Sequence, residues 1–317
     1  MSAKIFIDGQ AGTTGLGIAQ RLAALPHISL VTLDEAHRKL PEARAEAMAR
    51  ADLTVLCLPD EAAREAVAIA PTGTRILDAS SAYRTFPGWV YGFPELAPGQ
   101  AEKIAKASTV SNPGCYATGA ISLLRPLTAL GLMAPDQLLT INAISGYSGG
   151  GKTMIADHET HGGPAFELYA LTLAHKHLPE IMEYSGLVWR PIFSPSVGHF
   201  AQGMLVCIPV FLDQLPSSPS AATLASAYAD YYAGAVNVVV HSGVHTQNLQ
   251  PEAAKHTDIV EIFICANQNY GHAILIARLD NLGKGASGAA VQNINLMLGR
   301  KSLNPDRGVW RRHGRVS

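Results

Sequence analysis

The chain has 317 residues, 48% of them hydrophobic and 15% charged, with a formal net charge of −1. This is long and apolar enough for about two compact domains, and the composition excludes a disordered chain. The near-zero charge gives no global field to draw nucleic acid or an anionic membrane. No run of about 18 apolar residues occurs, so no membrane span is expected. The N-terminal Met1-Ser2-Ala3-Lys4 leads straight into a strand-like segment, without the apolar stretch of a secretory signal. The four cysteines, at positions 57, 115, 207 and 265, show neither CxxC nor metal-ligand spacing, which points to a reduced cytoplasmic protein and no metal. The C-terminal Arg311-Arg312-His313-Gly314-Arg315 reads as a solvated basic end.

In chain order, Lys4–Asp8 is a short apolar strand, followed by a glycine-rich turn and a helix over Thr13–Ala24. Ser29–Leu33, Asp52–Leu58 and Arg75–Asp78 read as strands, with helices over Pro41–Arg50 and Glu61–Ala70 between them. This alternation predicts an α/β fold, a Rossmann-type parallel sheet with right-handed crossovers. Beyond it, Leu138–Ser145, Gly203–Val210, Val236–Val240, Ile259–Cys265 and His272–Leu279 read as strands with fewer helices between them. They predict a second, α+β domain on a largely antiparallel sheet. The expected division is residues 1–113 and 114–285, with a final helix (clearest over Ala286–Leu298, within 286–317) returning to the first domain. Gly146–Gly163 is expected to be a long functional loop, and Pro216–Ser220 a plain surface loop.

Gly9, Gly12 and Gly15 form G-x-x-G-x-x-G directly after the first strand and before a helix. Glycines there let the backbone approach a pyrophosphate, and the helix N-terminus at Thr13 and Thr14 offers N–H donors and partial positive charge. A dinucleotide site is expected, although the spacing departs from G-x-G-x-x-G. Asp34, at the end of the second strand, suits the ribose hydroxyls of NAD, whereas Arg38 and Lys39 suit a 2′-phosphate. The residues alone leave the two coenzymes open.

Cys57, Cys207 and Cys265 sit in apolar strand patterns and read as inert thiols. Cys115 follows Ser111-Asn112-Pro113-Gly114 and precedes a helical run, Ala117–Leu130. A thiol at a helix N-terminus is expected to favour its thiolate, and the same N–H groups suit an oxyanion. Among twelve histidines, His175 and His177 in His175-Lys176-His177-Leu178-Pro179-Glu180 form the densest polar cluster. The string Gly146-Tyr147-Ser148-Gly149-Gly150-Gly151-Lys152-Thr153 matches a P-loop formula. It lies in the second domain rather than after the first strand, and is discounted on that ground.

Taken together these segments resemble the N-acetyl-γ-glutamyl-phosphate reductases of arginine biosynthesis, in their shorter form. The resemblance runs nearly end to end, anchored by Gly9–Gly15, Asp78-Ala79-Ser80-Ser81-Ala82-Tyr83-Arg84, Ser111–Thr118, Ser145–Lys152, His175–Glu180 and Asn281–Leu298. The related aspartate-semialdehyde dehydrogenases share the glycine turn and an Asn-Pro-x-Cys but lack His-x-His-x-Pro-Glu. The resemblance implies a semialdehyde dehydrogenase-like fold, NADP as coenzyme, an acyl-phosphate substrate and a homo-oligomer, dimer or tetramer. It makes Cys115 the nucleophile and His177 the acid/base, with His175 the alternative. It places Arg84, Asn112 and Glu180 at the substrate and its phosphate, and Gly9, Gly12, Thr13, Thr14, Gly15, Arg38 and Ser80 at the coenzyme. The reaction would run through a thioester that hydride converts to an aldehyde. Its rivals are another acyl-phosphate reductase, a P-loop ATPase using Lys152, and a non-catalytic dinucleotide sensor.

Overall fold

The computed structural model describes residues 2–241 and 247–300. The basic tail Arg311–Arg315 and residues 301–317 of the expected C-terminal helix lie outside them. The first half contains β1 (Ala3–Asp8), α1 (Thr13–Ala23), β2 (Ile28–Val31), α2 (Pro41–Arg50), β3 (Leu53–Leu56), α3 (Asp60–Ile69), β4 (Ile76–Asp78), β5 (Val90–Tyr91), α4 (Gln100–Lys106) and β6 (Thr109–Ser111). Then come α5 (Cys115–Ala129), β7 (Thr140–Gly146), α6 (Gly151–Thr160), β8 (Phe166–Leu168), α7 (Leu178–Ser185), β9 (Ile192–Gly198) and β10 (Met204–Phe211). The described chain ends with α8 (Ala221–Tyr231), β11 (Val238–His241), β12 (Val260–Asn267), β13 (His272–Leu279) and α9 (Gly288–Met297).

The first sheet has the order β2-β1-β3-β4-β6-β5, and its pairings are parallel. Parallel strands need crossovers, and the apolar faces of α1 and α9 cover one side of this sheet. Ile18 and Leu22 of α1 pack with Ile5, Leu53 and Leu77, and so do Ile294 and Met297 of α9. Arg75 donates to the Met297 carbonyl at 2.5 Å, which ties the end of α9 to the start of β4.

The second sheet runs β11-β12-β13-β10-β7-β9-β8. It is antiparallel at β12–β13, β13–β10, β10–β7 and β9–β8, and parallel at β11–β12 and β7–β9. Its inner face meets α5, whose Ala120, Leu123, Leu124 and Leu127 are fully buried. Gly119 is the close approach, since a β-carbon there would lie 2.7 Å from Val206.

Several segments differ from the sequence reading. Gly146–Gly163 is not one long loop: Gly146 closes β7, Tyr147–Gly150 form a 3-10 turn, and α6 follows. Three consecutive glycines masked that helix, because intrinsic propensity counts against them. The strand β9 was hidden by Pro195, which reads as a strand breaker; its carbonyl still accepts from Tyr169. Among the described residues, no helix is long and apolar enough to cross a membrane.

Candidate functional site

Cys115 owes its place to the chain order β6, Asn112-Pro113-Gly114, α5. Gly114 is the N-cap in an extended conformation, and Cys115 is the first helical residue. Thr118 locks the start of the helix by donating both its amide and its hydroxyl to the Gly114 carbonyl, at 2.8 and 3.0 Å. The thiol faces a cavity of about 350 Å³ whose walls also include Arg84, Asn112, His175, His177, Thr13 and Thr14. The second sheet contributes Ser145 and Val197, the Tyr147–Gly150 turn Ser148 and α6 Met154, and the stretch after β13 contributes Asn281, Gly285 and Ala286.

The electrostatics differ from the expectation of a ready thiolate. Burial pushes the Cys115 thiol up, and this outweighs the help of the Tyr116 amide and of Arg84. His177 is buried, and its pKa is held well below the ordinary imidazole value, first by desolvation and then by the Arg84 charge. His175 is pushed down to about 4 by burial, Lys176 and Arg84. Burial therefore favours a neutral Cys115 thiol beside neutral His175 and His177 imidazoles. In the coenzyme-free protein, alkylation of Cys115 by iodoacetamide should still accelerate at about pH 9, beyond the midpoint of an ordinary thiol. A rate plateau reached by about pH 7 would show a thiolate–imidazolium pair instead.

His177 occupies the N-cap position of α7, and its Nδ1 is buried without a hydrogen-bond partner among the described residues. No described side chain fixes its tautomer, which leaves both ring nitrogens open to a proton. His175 lies behind it, accepting from the His177 amide at 3.1 Å, among the rings of Tyr116, Tyr169 and Phe193. Its engagement with that backbone makes His177 the better placed of the two.

Arg84 is buried and reaches Glu180 from Nη1 at 2.6 Å and the Asn112 carbonyl from Nε at 3.1 Å. Glu180 is 1% exposed and also accepts from the Tyr91 hydroxyl at 2.6 Å and the Gly114 amide at 3.1 Å. Burial opposes the guanidinium charge, but Glu180 and Tyr91 hold its pKa above the ordinary value. A buried pair like this is sensitive to losing either member.

Three of the expected site residues, Glu180, Asn112 and Ser80, have hydrogen-bond partners within the protein. Glu180 is not in the cavity wall; it holds Arg84 and the Gly114 cap. Asn112 lines the cavity, but its amide donates to the Ala286 carbonyl and accepts from Asn293, both at 3.1 Å. It joins the Cys115 turn to the segment after β13. Ser80 lines neither cavity: its hydroxyl donates to Asp78 at 2.6 Å and accepts from the Ala82 amide at 3.1 Å, closing the turn after β4. A short hydroxyl beside its own turn satisfies local backbone first, and its neighbour Ala79 lines the Cys115 cavity instead.

A second cavity, about 620 Å³, lies beyond the glycine turn and is lined by Asp8, Gly9, Gln10, Thr32, Arg38 and Lys39, among others. Gly9 has φ +84°, and a β-carbon on it would lie 2.3 Å from the Cys57 carbonyl; one on Gly15 would lie 2.6 Å from the Gly9 carbonyl. Only glycine permits this tight turn. Gly12 caps α1, whose first-turn residues Thr13 and Thr14 face the Cys115 cavity. The turn therefore stands between two cavities, as a dinucleotide spanning them requires. Asp34 lies beyond the end of β2 and accepts from the His37 amide at 3.0 Å and its ring at 2.5 Å. Arg38 pairs with Glu35 at 2.9 Å on the cavity wall.

The sequence reading missed Tyr91, Tyr169, Ser148, Met154 and Lys176. No spacing marks Tyr91 or Tyr169, whereas Ser148 lies inside a quoted glycine-rich string. Among the described residues, no group of three or more His, Cys, Asp or Glu is placed to hold a metal. Lys152 of the P-loop-like string is exposed, outside the lining of the Cys115 cavity.

The model of the semialdehyde dehydrogenase NAD binding domain matches residues 4–106, and that of the semialdehyde dehydrogenase dimerisation domain matches residues 115–281. N-acetyl-gamma-glutamyl-phosphate reductase 2 of Pseudomonas putida is 51% identical, over 93% of this chain and 96% of its own. The N-acetyl-gamma-glutamyl-phosphate reductase of Chelativorans sp. is 49% identical, over 94% and 99%. The aspartate semialdehyde dehydrogenase of Candida albicans, solved with NADP, superposes with a TM-score of 0.69 at 14% identity, over 94% and 99%. That of Vibrio cholerae, solved in complex with ASA, gives 0.67 at 15%, with the same coverage. These likenesses join a cysteine-bearing helix start to a glycine-turn nucleotide fold over almost the whole length, and the chain belongs to the semialdehyde dehydrogenase family, among its N-acetyl-γ-glutamyl-phosphate reductases.

Proposed function

We propose that the protein reduces N-acetyl-L-glutamyl 5-phosphate to N-acetyl-L-glutamate 5-semialdehyde with NADPH, releasing phosphate, as a step of arginine biosynthesis. The observation that carries the reading is that Cys115, His177 and Arg84 share one cavity with the first turn of α1. Cys115 Sγ attacks the acyl carbon while its proton passes to His177. The acyl–phosphate bond breaks, and the leaving phosphate takes its charge to Arg84, whose Nη2 has no protein partner among the described residues. The first-turn amides of α5 hold the charge that develops on the carbonyl oxygen. A bound nicotinamide supplies the hydride that turns the thioester into an aldehyde. His177 then reprotonates the departing sulfur, which its raised pKa makes favourable.

The same geometry supports NADP. Arg38 and Lys39 line the second cavity, while Asp34 is bound to His37 rather than offered to a ribose. In this reading residues 1–113 hold the coenzyme and 114–285 the acyl phosphate, with α9 packed against the first sheet. A nucleophilic free thiol needs a reducing compartment, which fits the cytoplasm. The outer face of the second sheet leaves Phe211 57% and Ile274 44% exposed, and a second copy of the chain, in a dimer or tetramer, would cover it.

The test is the reverse reaction. N-acetylglutamate semialdehyde, phosphate and NADP should give phosphate-dependent absorbance of reduced coenzyme. NAD should serve less well, and Arg38→Ser should narrow that preference by about tenfold. Turnover with aspartate semialdehyde alone would change the substrate, and silence with both aldehydes would overturn the reading.

A further inference from the structure

Lys284 is a buried charge that the chemistry above does not use. It is 1% exposed and lies in the π turn Gly283–Ser287 between β13 and α9. Its ammonium donates to Glu95 Oε2 at 2.7 Å and to Gln292 Oε1 at 2.5 Å, over the ring of Phe93 at 5.3 Å. Gln292 completes the circuit by donating to Glu95 Oε1 at 2.8 Å and Asn237 Oδ1 at 3.1 Å. Glu95 comes from the segment between β5 and α4, and Gln292 from α9, so the lysine ties the turn to two other elements.

The next residue, Gly285, lies against the nucleophile: a β-carbon there would be 2.9 Å from Cys115 Cβ. Ala286 offers its carbonyl to Asn112, which precedes Cys115 by three residues. A π turn is a strained insertion that recurs at functional sites, and this one has a charged anchor on one side and the thiol on the other. We propose that Lys284 is a positioning residue for Cys115: its clamp on Glu95 and Gln292 fixes the π turn, and the turn fixes the wall against which the thiol sits. The inference rests on Cys115 being the nucleophile.

The test uses Lys284→Met, which keeps length and loses charge, and Glu95→Gln/Lys284→Met, which leaves no unpaired buried carboxylate and guards against a variant that does not fold. Steady-state kinetics and iodoacetamide alkylation of each cysteine, resolved by peptide mass spectrometry, are measured well below the melting temperature. A loosened wall should lower kcat about tenfold or more in either folded variant, with KM values within about threefold. The Cys115 alkylation rate should move by about fivefold or more while that of Cys57 does not. Wild-type kcat and Cys115 reactivity in the double variant, or equal changes at Cys57 that mark general loosening, would overturn it. Activity surviving in Cys115→Ala would remove the underlying reading; unchanged Cys115 reactivity without the lysine would remove this inference alone.

Discussion

Cys115→Ala is expected to lower kcat in both directions by about 10⁴-fold or more, with NADP binding changed by less than about threefold. The loss is large because the proposed route has no non-covalent substitute. Hydride cannot easily reach an acyl phosphate that has not first become a thioester, and the remaining amides and Arg84 only stabilise charge. Binding should persist because most of the proposed coenzyme contacts lie at the glycine turn and the second cavity, away from residue 115. Coenzyme titration by fluorescence and single-turnover mixing with the acyl phosphate separate the two effects. Without coenzyme, wild type should release phosphate and form no aldehyde, leaving one acyl group per Cys115 peptide by mass. A variant that keeps more than about a hundredth of wild-type kcat would place the nucleophile elsewhere.

The parts of this site that sequence revealed are those whose chemistry is local in the chain. A glycine that needs φ +84° beside a strand end, or a cysteine just after Pro113-Gly114, announces itself in a few residues. The alternation of strands and helices likewise carried the parallel sheet. What remained hidden depends on contacts between distant positions. Glu180 reads as a site carboxylate until Arg84, Tyr91 and the Gly114 amide are seen to surround it. The partners of Asn112 and Ser80, Asn293 and Asp78, are likewise not visible in the sequence. The protonation of Cys115 also depends on distant contacts. A helix N-terminus is visible in sequence and favours the thiolate, whereas the opposing desolvation comes from packing by segments remote in the chain, among them the turn at Gly285. Here burial is the larger effect.

Gly114→Ala is expected to lower kcat about 100-fold while leaving the coenzyme KM within about threefold. Backbone strain is not the reason: Gly114 sits at φ −75° and ψ 150°, where any residue fits. The reason is the space. A methyl group at this position would lie 2.4 Å from His177 Nε2 and 2.6 Å from Arg84 Nη1. Neither neighbour can swing away cheaply, because Arg84 is held by buried Glu180 and His177 is itself 5% exposed. Overpacking of this kind costs about 1–3 kcal/mol of stability, measurable as a lower urea midpoint. The larger effect is expected on chemistry, because His177 and Arg84, the proposed base and phosphate anchor, would be displaced together by one carbon. Rapid-quench measurement of thioester formation should show the slowed step to be acylation. If Gly114→Ala acylates at the wild-type rate, the base and the cation do not act from where they rest, and they must move before the sulfur attacks. In the proposed mechanism the absence of a side chain at residue 114 thus has a role: it lets His177 and Arg84 approach the backbone one residue before Cys115.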